Sequence, residues 1–360
     1  MGLDEARQEF DSGRYDRALA LLRAAPEPDP NDRDLRLDRL RLVGLAAYRI
    51  GELDAALAAA SALVQQLGPT SDDPRRRDMH GIGVVAAGAL ARHDESLEHL
   101  RAMLSMAARS RSLADQVRAR GSLATWLSLL GDPWAARRVL GEVIGLFQGL
   151  TDQPRLEATA RNNHAEMSMQ VARMARDGQD ATGVEAALEQ ADACLGRLRE
   201  LAQQLGDARI AGFADLHEAA LAHLRGAPGL ALQRLPAAVD DARAAGLWAH
   251  ERGLRLMMAE ALLDLGRASD AAGQLAIIDA HIGEGHDLSD RIRHASAWHR
   301  AHSAMGRSQD ALGRLAQAQS LILYREYHQR RAQSVHLRER LELEYVNAFR
   351  THAPGASAGL

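Results

Sequence analysis

GELDAAL at Gly51–Leu57 sets the frame for the whole chain: a small turn residue, a polar step, then Ala and Leu opening an apolar stripe. The frame returns as GRYDRAL at 13, ARHDESL at 91, GDPWAAR at 131, GAPGLAL at 226, GRASDAA at 266 and GRSQDAL at 306. Successive starts lie 38, 40, 40, 95, 40 and 40 residues apart. The long interval holds one further period and an insertion of about fifteen residues, so eight units are implied, the fifth degenerate. A repeat of this size exposes an apolar face that only its neighbours can cover, which makes an array of helical hairpins the expected architecture.

The chemistry within each unit is that of two packed helices. The turn glycine ends helix A in a left-handed cap, and Pro133 and Pro228 sit just inside helix B, where a missing N–H costs little. Five residues past the turn comes Ala18, Ala56, Ala136, Ala231, Ala271 or Ala311, with Ser96 as one departure. Seven residues before it, helix A is small at Gly44, Ala124, Ala219 and Ala259, while Val84 and His299 break the rule. Small residues on both helices let them approach closely. Leu22, Leu100, Leu140, Leu235, Leu275 and Leu315, one turn farther along the helix B face, are expected in the core.

With those small residues and turn glycines at that spacing, the chain resembles the tetratricopeptide repeat family over most of residues 1–325. It departs in its period, about 40 instead of 34, and in lacking an early helix A aromatic in most units. HEAT or armadillo hairpins of similar length are the alternative. The resemblance implies an all-α, right-handed solenoid of about eight hairpins, a concave groove lined by helix A, and a protein or peptide ligand held there. Transferring that face marks Arg41, Tyr48, Arg118, Thr125, Arg161, Asn162, Asn163, Glu166, Glu260, Arg293 and Arg300 as groove residues. Paired Asn162 and Asn163 offer donors and acceptors to a peptide backbone, and Arg161 and Arg300 suit a carboxylate. The family's lysine-based clamp for chaperone tails is not expected, because the chain has no lysine.

Three segments depart from the array. RDGQDATG, about residues 177–183, reads as a polar, flexible insertion in the fifth unit. PEPDPND at 26–32 would make the N-terminal hairpin a loosely attached cap, and Pro236 should bend its helix B. Beyond the eighth unit, Leu321–Phe349 contains no Gly or Pro and is dense in Arg and Glu, so a long charged helix is expected over 326–350, with a disordered tail at 351–360. That helix either caps the solenoid or pairs two copies of the chain as a homodimer. Repeat arrays leading into such a helix resemble the sensory portions of bacterial diguanylate cyclases, which makes a signalling input module the alternative to an adaptor or scaffold.

Composition narrows the function classes. Apolar residues make up 46% of 360 and aromatics 4%, which disfavours a β-sandwich. All 44 basic residues are Arg against 48 acidic ones, a net charge of −4 that offers no field for a nucleic acid. The longest apolar stretch, Gly81–Ala91, is too short to span a membrane and reads as a tightly packed helix. The start, MGLDEARQEF, has no signal-peptide pattern, and the single Cys194 fits a reducing cytoplasm. No GxxxxGK, GxSxG, HExxH or CxxC is present. His294, His299 and His302 lack a carboxylate at ligand spacing, and His217 and His223 read as packing residues. A non-enzymatic chain without metal or cofactor is expected.

Overall fold

A computed structural model of the chain describes residues 2–110, 112–150 and 152–333, which form sixteen α-helices and, among the described residues, no strand. They pair as eight hairpins: α1 (Gly2–Asp11) with α2 (Tyr15–Ala24), α3 (Arg33–Ile50) with α4 (Leu53–Leu67), α5 (Pro74–Ala89) with α6 (His93–Arg109), and α7 (Leu113–Leu129) with α8 (Pro133–Leu146). Then follow α9 (Pro154–Asp177) with α10 (Ala181–Leu205), α11 (Ala208–Leu224) with α12 (Pro228–Ala244), α13 (Trp248–Asp264) with α14 (Ala268–Asp279), and α15 (Leu288–Ala304) with α16 (Ser308–Ala332). The architecture is the expected α-solenoid.

Every hairpin turns on one residue in the left-handed region: Gly13, Gly51, Ala91, Gly131, Gln179, Gly226, Gly266 and Gly306. In each, the following amide donates to a carbonyl five residues back, as from Glu52 to Ala47 at 2.9 Å and from Arg92 to Ala87 at 2.8 Å. These bonds satisfy carbonyls that a helix end would leave open. The small residues behind the turns are fully covered, and Ser96 keeps its place by donating its hydroxyl to the Val84 carbonyl at 2.7 Å. Leu22, Leu100, Leu140, Leu235 and Leu275 are buried, each stabilising the array by about 1.5–3 kcal/mol. Leu315 is only half-buried, because no ninth hairpin covers it.

The irregular segments differ from expectation in instructive ways. The excess length of the fifth unit lies in its helices, since α9 has 24 residues and α10 has 25. The stretch expected as a flexible insertion at 177–183 is a tight turn, Gly178–Asp180, in which Asp180 caps α10 by accepting from the Gly183 amide at 2.9 Å. The N-terminal hairpin is not loose: Arg39 of α3 donates to the Leu22, Ala25 and Pro26 carbonyls and pairs with Glu27. Pro236 lies exposed within α12, which continues past it. The last hairpin's second helix runs to Ala332; most of the charged helix expected over 326–350, including Val335, Leu341, Tyr345 and Phe349, lies outside the described residues, as does the tail.

The superhelix closes on itself. The Leu53 amide at the second turn donates to the Gly285 carbonyl, between α14 and α15, at 3.0 Å. Ala91 at the third turn packs with Leu288, Ile292, Leu321 and Ile322. At the fourth, Gln329 Nε2 donates to the Leu129 carbonyl at 2.8 Å and Gln333 Nε2 to that of Leu130. Tyr15 of the first hairpin rests on the apolar cluster built around α9 to α13. Turns of hairpins one to four therefore seat on hairpins six to eight, forming a seam. No helix among the described residues is long and apolar enough to cross a membrane.

Candidate functional site

The closed superhelix has an inner wall made by the first helices of its hairpins. Glu166 and Arg173, two turns apart on α9, feel the charges of Arg293 on α15, and Arg173 also feels Glu260 on α13. Helices from hairpins five, seven and eight thus look at one another across a shared space. Glu166 and Arg173 are open to water by surface area, yet desolvation by the surrounding helices is the leading influence on both. That surrounding raises the Glu166 carboxyl above the usual range, with Asp290 adding to the rise and Arg173 and Arg293 opposing it.

Glu260 and Arg293, both singled out in the sequence, form a two-pronged ion pair with both contacts at 2.9 Å. Burial would raise Glu260, but Arg293, with Arg173 and His223 behind it, holds its carboxyl below the ordinary range. Asp290 accepts from Arg252 at 3.0 and 3.1 Å, whereas Asp287, the cap of α15, has no ion pair of its own among the described residues; its carboxyl is pushed up to about 6 by desolvation and then by Asp290. Arg173 has no hydrogen bond or ion pair among the described residues, and burial holds its guanidinium below the usual range.

The asparagine pair sits on the same helix. Asn162 accepts from His217 Nε2 of α11 at 3.1 Å and donates to Asn163 Oδ1 at 3.1 Å. This leaves the Asn163 amide nitrogen without a partner among the described residues. His217 is buried and its pKa falls to about 3, by desolvation and then by His250 and Arg173, so it is a neutral donor. Gln170, one turn beyond Glu166, links α9 to Ser128 of α7 at 3.3 Å.

The remaining positions are engaged by nearby groups. Arg41 donates to Asp78 at 2.7 Å, Arg118 to Asp115 at 3.2 Å, Arg161 to Glu157 at 3.2 Å, and Arg300 to Asp264 at 2.5 Å, beside His223. The Thr125 hydroxyl returns to its own helix at the Gly121 carbonyl, 3.1 Å away. Tyr48 is half-buried beside the core of the second hairpin, with Arg49 over its ring. The structure therefore gathers Asn162, Asn163, Glu166, Glu260 and Arg293 near one interior, and adds Arg173, Asp290 and Arg252, which the helix A transfer passed over.

A sequence signal for these pairs exists. Arg41–Asp78, Arg75–Asp38, Arg77–Asp115, Arg252–Asp290, Arg293–Glu260 and Arg300–Asp264 join residues 33 to 38 apart, about one repeat. An Arg and a carboxylate one period apart on successive first helices meet side by side, so the pairs form a ladder that fixes the stagger between hairpins.

The Cys194–His164 pair, which resembles a catalytic constellation, is held neutral. Cys194 Sγ lies 3.3 Å from His164 Nδ1, with Ser168 at 3.4 Å from the same atom. Burial raises the thiol and lowers His164 to about 4, so the pair is a thiol beside a neutral imidazole rather than a thiolate beside an imidazolium. His294 faces the Leu275 carbonyl at 3.4 Å, His299 the Ala311 carbonyl at 3.0 Å, and His302 stacks on Trp298. No group of three or more potential metal ligands occurs among the described residues.

No family model matches the chain, and no curated protein does either. Solved structures do. The apo form of RapI aligns with a TM-score of 0.53 at 10% identity, over 79% of this chain and 97% of its own. A Rap protein complexed with competence and sporulation factor aligns with a TM-score of 0.55 at 11% identity, over 98% and 97%. The chain therefore shares its fold with the Rap helical-repeat solenoids.

Proposed function

We propose that the chain is a non-catalytic, cytoplasmic adaptor that holds a protein or peptide segment inside its superhelix. The observation that carries this reading is the α9 wall: Asn163, Glu166 and Arg173 are polar and reachable by water, and neither the Asn163 amide nitrogen nor the Arg173 guanidinium is used by the fold. A backbone amide or carboxylate of a bound segment would satisfy both without rearranging the ion pairs around them. The similarity in fold to a Rap protein complexed with competence and sporulation factor supports a ligand of this kind. Arg41, Tyr48, Arg118, Thr125, Arg161, Asn162, Glu260, Arg293 and Arg300 would shape the wall rather than grip the ligand.

Co-purification from native host cells tests this, comparing the intact chain with an Asn163→Ala, Arg173→Gln variant of unchanged helicity. A partner retained by the first and lost from the second supports the reading. Equal retention by both removes the interior as the binding site.

The second reading, a signalling input module, is favoured by one feature. The end of α16 bonds to the fourth turn through Gln329 and Gln333, so a change in the width of the interior would be felt at the start of the charged segment expected over 326–350. Dimerisation through that segment belongs to this reading, and ultracentrifugation of the full chain against one ending at 333 tests it.

A further inference from the structure

The seam brings two unpaired cations together. Arg209, in the first turn of α11, lies over Phe213 with Cζ 5.7 Å from the ring centre, and Phe213 meets His250 of α13 edge-on at 4.9 Å. The same turn of α13 abuts the second hairpin: a Cβ at Gly51 would stand 3.4 Å from Ala249 and 3.3 Å from Arg252 Nη1. Two residues before Gly51, Arg49 lies over Tyr48 at 5.9 Å, and its Nε is buried with no hydrogen-bond partner. Tyr15 packs on the cluster containing Ile210, the residue after Arg209. The end of α3 and the start of α11 thus lie on the same stretch of the seam, where Arg209 feels the charge of Arg49.

Neither guanidinium forms an ion pair among the described residues, in a molecule where Arg–carboxylate pairs bind hairpin to hairpin. Asp207, the carboxylate nearest Arg209 in the chain, is occupied: it caps α11 at the Arg209 and Ile210 amides and pairs with Arg155 at 3.1 Å. Arg209 is held below its usual range by desolvation and next by Arg49, against the opposing pull of Asp207, Tyr15 and Tyr48. Two half-buried like charges raise the energy of the empty molecule, and a glutamine at either position would fill the same space without that cost. Each guanidinium carbon lies over a neighbouring aromatic ring, within cation–π range.

We propose that Arg49 and Arg209 form a carboxylate seat at the seam, which takes the C-terminal carboxylate of a peptide segment lying in the interior. This rests on the peptide-binding reading above. A carboxylate accepts at both oxygens and can bridge two guanidiniums, offsetting their repulsion while its chain runs inward.

The test uses the full chain, immobilised, and a random hexapeptide pool prepared with free C-terminal carboxylates and again as amides, with retained peptides counted by mass spectrometry. The wild type should retain free acids over amides by roughly tenfold or more, as expected for charged hydrogen bonds. In Arg49→Gln and Arg209→Gln, each checked for wild-type helicity, that preference should fall to about one. Equal retention of acids and amides by the wild type overturns the seat and leaves the peptide reading standing. Enrichment of Asp or Glu within the retained amides overturns the terminal assignment in favour of an acidic side chain. If no peptide is retained, but sodium acetate at constant ionic strength raises the melting temperature of the wild type and of neither variant, the seat survives and the interior-peptide reading fails.

Discussion

The amide of Leu53 and the carbonyl of Gly285 are 232 positions apart in the chain and 3.0 Å apart in space. That bond, the first of α4, ties the second hairpin to the loop before the last one. Gly51 beside it has φ +84°, and any Cβ there would press on Arg252 Nη1 at 3.3 Å. Gly51→Ala should therefore destabilise the chain by about 1–2 kcal/mol through the left-handed turn alone. It should also loosen the seam. Urea denaturation measures the first effect, and an increase in radius of gyration by small-angle scattering measures the second.

Two of the eight turns use a side chain where glycine is the natural choice. Gln179 is exposed at φ 59°, so Gln179→Gly should stabilise the fifth hairpin by up to about 1 kcal/mol. Ala91 has nearly the same backbone, φ 61°, but its methyl is buried among Leu288, Ile292, Leu321 and Ile322. Ala91→Gly relieves the same strain while removing roughly 0.8 kcal/mol of apolar burial, so its net effect should be close to zero. Equal gains from the two substitutions, in parallel thermal melts, would show that the third turn does not press on the last hairpin.

Acid should weaken the fold over a defined range. His80 and His217 are lowered to about 3, and His93 and His164 to about 4, each mainly by desolvation. The folded state binds these protons less readily than the unfolded chain, so the stability is fully present above the unfolded value near 6.5 and is lost as the pH falls toward the folded values. Between pH 7 and 5, His93 alone should cost roughly 2 kcal/mol. Asp287, raised to about 6, acts in the opposite sense and recovers part of one such loss. Denaturant midpoints at pH 7.5, 6.0 and 5.0 should fall in that order, and a flat profile would contradict the burial of these rings.

Cys194 is buried against His164, with its thiol raised by desolvation. It should react with a thiol reagent at neutral pH only on the timescale of local or global unfolding, and denaturant should accelerate the reaction by orders of magnitude. Rapid labelling of the native chain would indicate a thiolate and reopen the question of covalent chemistry.

The hairpin array was legible because a left-handed cap favours glycine and a close helix crossing favours alanine, and both leave a mark at most repeats, as at Gly51 and Ala56. The fifth hairpin was harder to read. Gln179 replaces the glycine there, and longer helices displace the small residues, so a tight turn looked like an inserted loop. The closure had no local signature, because Leu53 and Gly285 carry no periodic relation and the seam is a property of accumulated curvature. Asn162, Asn163 and Glu166 could be placed on the inner face by transfer from a known repeat. Arg49 and Arg209 could not, since their significance lies in coming together at that closure.

An ordinary solenoid can gain or lose a unit at its end much as a stack of plates can. This one resembles a split washer whose two lips overlap, with Ala91 against Ile292 and Leu129 against Gln329. Removing one internal hairpin would shift every overlapping contact by a unit and set turns against surfaces they do not match. The number of hairpins is thereby part of the folding code, and lineages that vary it must rebuild the overlap or remain open.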